Sequence, residues 1–218
     1  MIQKMIDAIG ACFPLTELDC GEYAKQKVSG MNFTIRRFYA EGIGNVSSMV
    51  ASGFFGLMKM DTLIITPTEK DMPLFSYDRV HAMGNDTLIF ELYDTLLGDK
   101  NLEATAAVKA AAAALPDHDL GEHWYDSIKL PESLSKKGKK PQTPAFDQTT
   151  RDYLEAFLAD AKNAPVCDDA DAKREKASFY VEGLLTHGGP STDVFKKALG
   201  EERTADLFRR VLFGTHFL

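Results

Sequence analysis

Apolar residues at Ile2, Met5, Ile6 and Ile9 recur at helical spacing, and Gly10 and Pro14 close the segment, so Met1–Cys12 predicts a helix. From Met31 the period changes. Phe33, Ile35 and Phe38-Tyr39 lead into the glycine-rich turn Glu41-Gly42-Ile43-Gly44-Asn45, followed by the runs Val46–Gly53 and Phe54–Thr66. Pro67 and Pro73 bracket a loop. Phe75–Met83 and Thr87–Leu96 are two more strand-like runs, joined by Gly84-Asn85-Asp86, a short hairpin signal. Turns this short impose antiparallel pairing, because a parallel pair needs a long crossover. Residues 31–97 therefore predict an antiparallel meander.

The remainder, 101–213, reads as mostly helical. Asn101–Leu115 is alanine-rich and stopped by Pro116. Leu130–Pro144, rich in Pro, Lys and Ser, reads as a loop. Asp147–Lys162 places Tyr153, Leu154, Phe157 and Leu158 on one face, and Asp168–Leu185 follows, capped by Asp168 or Asp169. Thr192–Leu199 and Arg203–Phe213 form a last pair broken at Gly200. Strands followed by helices predict an α+β fold, one domain over 1–218, with helices covering the sheet.

Composition narrows the function classes. The chain has 218 residues, 44% of them hydrophobic, with 25 Lys plus Arg against 32 Asp plus Glu and a net charge of −7. That acidity argues against nucleic acid or an anionic membrane as a general partner and leaves only a local basic patch open. No apolar run reaches the ~18 residues of a membrane span. Asp7 interrupts the apolar N-terminal stretch, unlike a secretory signal, so a cytoplasmic location is expected. Cys12, Cys20 and Cys167 are sparse and unclustered, which predicts reduced thiols and no disulfide frame, zinc ribbon or iron–sulfur site. The five histidines show no HExxH spacing, and His118 and His123 only flank a Gly-containing loop, so no protein-held metal is expected. GxGxxG and P-loop motifs are missing from the sequence as well.

Chemistry concentrates in Asp61–Asp94. Five carboxylates, Asp61, Glu69, Asp78, Glu91 and Asp94, lie on or beside the expected strands, where acidic residues are depleted. Glu91 reads as the solvent face of a half-buried sheet. Asp78 differs because Pro73-Leu74-Phe75-Ser76-Tyr77 crowd it with apolar groups. A carboxyl so placed has a raised pKa and can donate a proton near neutrality.

Two blocks resemble the ferredoxin-dependent bilin reductases, the phycocyanobilin:ferredoxin oxidoreductase-like family, with the red chlorophyll catabolite reductases as relatives of the same fold. The first is Met72-Pro73-Leu74-Phe75-Ser76-Tyr77-Asp78-Arg79-Val80, the turn Gly84-Asn85-Asp86, and Leu92-Tyr93-Asp94. The second runs from Pro190-Ser191-Thr192-Asp193-Val194-Phe195 through Gly200 to Ala205-Asp206-Leu207-Phe208 and Val211-Leu212-Phe213. Their order and spacing agree over most of residues 31–218. The resemblance implies a three-layer α/β/α sandwich whose central antiparallel sheet carries an open tetrapyrrole on one face. It also implies no bound cofactor: reduced ferredoxin supplies electrons and the protein supplies protons. Asp78 falls on the family's central catalytic aspartate.

Departures from the family pattern are equally specific. Asp61 stands where phycocyanobilin-forming members have a catalytic His, which makes it the second catalytic candidate on the bilin face. Gly189-Pro190 replaces an Asp-Pro, and Gly42–Phe55 reads as an insertion, so the family's early strand glutamate maps to Glu41 or to Met49. Glu69, Asp94 and His187 are the candidate substrate-binding residues. Lys129–Lys140 holds five lysines against one glutamate, and Lys136, Lys137, Lys139 and Lys140 are the expected contact for an acidic ferredoxin, if not simply a solvated loop. The leading expectation is an oxidoreductase reducing a linear tetrapyrrole such as biliverdin. A non-catalytic tetrapyrrole-binding protein, and a lyase or isomerase acting on another planar ligand, are the alternatives.

Overall fold

The computed structural model describes residues 1–189 and 191–216. Helix α1 (Ile2–Cys12) precedes strands β1 (Leu15–Leu18), β2 (Lys25–Val28), β3 (Met31–Ala40), β4 (Gly44–Gly53), β5 (Met58–Pro67), β6 (Leu74–Ala82) and β7 (Asn85–Tyr93). Helix α2 (Glu103–Ala111), strand β8 (Leu134–Lys139) and helices α3 (Thr143–Asn163), α4 (Ala170–His187), α5 (Thr192–Leu199) and α6 (Glu201–Asp206) follow, and a π-helical turn covers Leu207–Leu212. All strands join one antiparallel sheet in the order β1-β3-β4-β5-β6-β7-β8, with β2 sharing the outer edge of β3. The meander expected over 31–97 is the five-strand run β3–β7.

Helices cover both faces, giving the α/β/α sandwich. On one face Val46, Leu63, Phe75, Tyr77 and Phe90 pack with Ile6 and Ile9 of α1 and with Tyr153 and Phe157 of α3. On the other, Phe33, Ile35, Met49, Ile64 and Tyr93 pack with Tyr180 of α4, Phe195 of α5 and Phe208 of the π-turn. Strand β5 is buried on both faces through Leu63-Ile64-Ile65, which explains why its sequence runs apolar without alternation.

Buried polar groups fix the helices to the sheet. Lys173 of α4 is fully buried, and its ammonium donates to Asp71 Oδ1, Met72 O and Thr95 O, using all three donors. Asp71 also accepts from the backbone N–H groups of Leu97 and Gly98. Asn45 and Ser47 of β4 both donate to Leu212 O at the end of the π-turn.

The structure corrects three expectations. Residues 130–144 are not a loop: Leu134–Lys139 forms β8, an edge strand paired with β7. Its lysines disguise an alternation that buries Leu134 and Lys136 and exposes Lys137 and Lys139, and lysine on an edge strand also discourages pairing with another chain. Gly42–Phe55 is not an insertion, because it supplies β4, paired along its length with β3 and β5. The β6–β7 turn is Met83-Gly84, earlier than Gly84-Asn85-Asp86. Both residues have positive φ, 51° and 74°, as a tight two-residue hairpin requires. That register moves Asp86 into the strand, where its carboxylate meets Arg79. At the start of α4 it is Asp169 that caps, accepting from Ala172 N at 2.9 Å.

Candidate active site

Strand alternation sends Tyr77 and Arg79 into the α1–α3 side and turns Asp78 to the other face. The register Ile35–Met49–Thr62–Asp78–Ile89–Ser135 runs across that face in one row. Around Asp78 the helical cover stops short: Met60, Ser76, Val80, Thr87 and Ile89 are only half-buried, forming a floor open to a ligand. Asp78 itself is half-buried, and Thr62 Oγ1 donates to its Oδ1 at 2.5 Å. Burial pushes its pKa up to about 6; the Thr62 hydrogen bond opposes that rise and the charge of Glu91 adds to it.

Glu91 is the second carboxylate of this face. It stands opposite Ser76, diagonal to Asp78 on the neighbouring strand, a spacing of roughly 7–8 Å. Expected on the solvent side, it is in fact 9% exposed. The Tyr93 hydroxyl donates to Oε2 at 2.6 Å, and the Lys129 ammonium lies 3.7 Å from Oε1. Tyr93 lies among aromatic rings that continue beyond it. It stacks on Tyr180 at 4.0 Å and meets Tyr125 edge-on at 5.5 Å; Tyr125 stacks in turn on His123 at 4.8 Å. Trp124 approaches Tyr180 at 5.9 Å and His187 at 5.6 Å. Burial drives the phenols of Tyr93, Tyr125 and Tyr180 upward, so they stay protonated, and Tyr93 uses its proton to donate to Glu91.

Backbone geometry places this wall. Residues Trp124–Ile128 form a short 3-10 turn, and the Trp124 indole donates to Gly188 O at 3.1 Å. Gly183, about one turn before the end of α4, leaves the room Trp124 occupies: a Cβ there would lie 2.0 Å from the indole. Glu91 Oε1, His123 Nδ1 and Ser135 Oγ are buried without a hydrogen-bond partner. Such atoms are rare in native proteins and mark places where a ligand or water completes the set.

Two surface depressions lie elsewhere. One of about 660 Å³ between α4, α5 and α6 is lined by Glu182, Asp206, Arg209 and Arg210. Arg209 pairs there with Glu182 and Arg210 with Asp206, and Lys196, Glu201, Glu202 and His216 complete its charged lining, away from Asp78. Among the described residues no group of three or more His, Cys, Asp or Glu is placed to hold a metal ion.

No family model matches the chain, and no curated protein sequence matches it. Among solved structures, phytochromobilin synthase from tomato in complex with biliverdin aligns with a TM-score of 0.80. The match covers 98% of this chain and 82% of that one at 15% identity. The chain has the bilin-reductase fold.

Within that fold, the residues singled out in the sequence divide. Asp78 lies on the open face. Asp61 does not: Thr62 is the register partner of Asp78, so Asp61 points to the opposite face, 3.8 Å from the Met1 amino group. Glu69 lies beyond the end of β5, roughly 13 Å or more along the strand from Thr62, and holds the β3–β4 turn by accepting from Tyr39 Oη at 2.5 Å and Gly42 N at 3.0 Å. Asp94 is exposed in a turn and accepts from Leu96 N at 3.2 Å. Neither reaches Asp78. His187, exposed at the end of α4, stands at the rim through Trp124. Pro190 lies outside the described residues. Lys136 is buried against the closed face and donates to Asp117 Oδ1 at 2.6 Å and Leu115 O at 3.0 Å, so it cannot meet a partner protein. Lys137, Lys139 and Lys140 are exposed. The residues missed were Thr62, His123, Trp124, Tyr125 and Tyr180. The run His123-Trp124-Tyr125, holding the sequence's single Trp, was their available signal.

Proposed function

We propose that the chain is a bilin-reductase-like oxidoreductase that takes a linear tetrapyrrole onto the open sheet face and reduces it with electrons from reduced ferredoxin, without a resident cofactor. The observation that carries this reading is Asp78, a carboxyl with a pKa of about 6 on the uncovered part of a sheet, in a fold shared with a biliverdin-bound synthase. Reducing one double bond of a bilin takes two electrons and two protons. Two reduced ferredoxins supply the electrons one at a time. Thr62 holds Asp78 Oδ1, which leaves Oδ2 to carry the proton toward the ligand. With a pKa of about 6 roughly one Asp78 in ten is protonated at pH 7, and a pyrrole nitrogen or lactam oxygen beside it draws that proton as the electron arrives. Glu91, held by the Tyr93 hydroxyl, lines the same face as an acceptor, and Asp78, reprotonated from solvent, supplies the second proton as it did the first. The aromatic wall supplies ring faces for the conjugated ligand and excludes water.

A visible absorption titration with biliverdin, followed by anaerobic addition of reduced ferredoxin, tests this. Binding shifts and sharpens the long-wavelength band, and ferredoxin then converts it to a blue-shifted product spectrum. A bound spectrum that reduced ferredoxin leaves unchanged would make the chain a tetrapyrrole carrier. No spectral change on adding biliverdin would reject the site altogether.

A further inference from the structure

The hairpins at one end of the sheet finish level with one another. Val28, Met31, Gly53, Met58, Ala82, Asn85 and Lys139 are register partners in a single row, so the β2–β3, β4–β5 and β6–β7 turns form one straight edge. From this edge protrude Phe54, Phe55, Leu57 and Met83, which are 56%, 109%, 72% and 91% exposed. Three of them sit in the left-handed region, Phe54 at φ 52°, Phe55 at 55° and Met83 at 51°. Asn or Gly would adopt these turn positions more readily and would present no apolar surface to water. Side chains kept where both backbone and solvent disfavour them point to a use for the side chains themselves.

Charge surrounds the edge in a definite way. Segments 25–34, 49–60, 79–85 and 137–143 contain no Asp or Glu. Lys139 lies in the tip row, Lys27 and Lys59 one row behind it, and Lys137 and Lys140 close by, all exposed. Asp86, the carboxylate nearest in register, is buried and held by Arg79. On a chain of net charge −7 this end is locally basic.

We infer that this edge docks on an anionic lipid surface, with the Phe54-Phe55 and Met83 tips dipping into the headgroup–acyl boundary and the lysines staying among the phosphates. No helix of the described residues is long and apolar enough to cross a membrane, so the contact is peripheral. Protein-docking hot spots seat apolar anchors in packed, desolvated centres behind a polar rim. Here Phe54, Phe55 and Met83 stand level and foremost, Leu57 lines a depression of about 320 Å³ with Asn85 and Lys140, and the lysines lie at the tips or roughly 3–7 Å behind them. That order matches the depth profile of a lipid interface, apolar groups deepest and ammonium groups at the headgroups.

The inference is independent of the tetrapyrrole reading. Its test is cosedimentation of the full chain with phosphatidylcholine vesicles with and without phosphatidylserine, at low and high salt. Binding is expected only with phosphatidylserine, and weaker at high salt. Phe54→Ser with Phe55→Ser should weaken it about tenfold or more, and Lys59→Gln or Lys140→Gln by about fivefold each. These positions are exposed, so circular dichroism should show every variant folded as the parent. No sedimentation with phosphatidylserine at low salt, or binding that the double Phe variant leaves intact, overturns the inference. So does a result in which vesicles are ignored and the Phe variants instead lose reduced ferredoxin, because the edge would then be a protein-docking surface.

Discussion

The two faces of the sheet use the same ingredients to opposite ends. On the closed face Arg79 and Asp86 are both about 2% exposed, joined by a bidentate pair, with Thr143 donating to Asp86 and His81 Nδ1 at 3.3 Å. Burial alone would raise Asp86, but the Arg79 and Thr143 hydrogen bonds and the Arg79 charge outweigh it and hold its carboxyl below the usual range. On the open face Asp78 has one hydroxyl donor, and a second carboxylate as its charged neighbour, and its pKa goes up. A buried acid with a matched cation is structural; one denied a cation keeps a proton it can give away. The contrast separates scaffold from site without reference to any relative.

Breaking the open face should have the largest effect. Asp78→Asn keeps shape and the Thr62 contact but cannot donate the proton, so ferredoxin-driven reduction should fall by about 10²–10⁴ while biliverdin affinity changes little. Stopped-flow absorbance separates the two quantities. Breaking the closed face acts on stability instead. Asp86→Ala leaves Arg79 buried without its main partner and should destabilise by about 3–5 kcal/mol in urea melts, with the remaining folded protein still turning over.

A smaller effect has a diagnostic pH dependence. The folded-state pKa of Asp78 lies above its unfolded value near 3.9, so the native protein binds the extra proton and loses stability as pH rises from about 4 to about 6. Asp78→Asn removes that loss and should stabilise the fold by about 1–3 kcal/mol at pH 7, with no gain below pH 4. Thermal melts of both proteins across this range give the sign. Smallest should be Asp61→Asn, within about 0.5 kcal/mol and without effect on turnover, since a half-exposed carboxylate facing a chain terminus contributes little.

Legibility followed the same division. The meander was readable because Phe33, Ile35 and their neighbours alternate and the turns are short. Asp78 was readable because the apolar residues before it fix a strand with an inward acid. Its partners were not. A one-residue shift in pairing exchanges the faces of a strand, and sequence does not print the register, so the resemblance pointed to Asp61 while the pairing sets Thr62 beside Asp78. Glu91 in an alternating strand looks like any solvent-facing acid until Tyr93 and Lys129 are seen to enclose it. Trp124 and Tyr125 sit in a segment without periodicity and are positioned by α4, far along the chain. Strand β8 was hidden because its inward Lys136 looks polar by composition yet is neutralised by Asp117.

The central claim is that Asp78 holds a transferable proton at a ligand-binding face. The ¹³C shift of its side-chain carboxyl, assigned by difference with Asp78→Asn and followed through pH with and without biliverdin, tests it directly. The expected result is a midpoint of about 6 in the free protein that moves when biliverdin binds. A midpoint near 4 that biliverdin leaves in place would contradict the account.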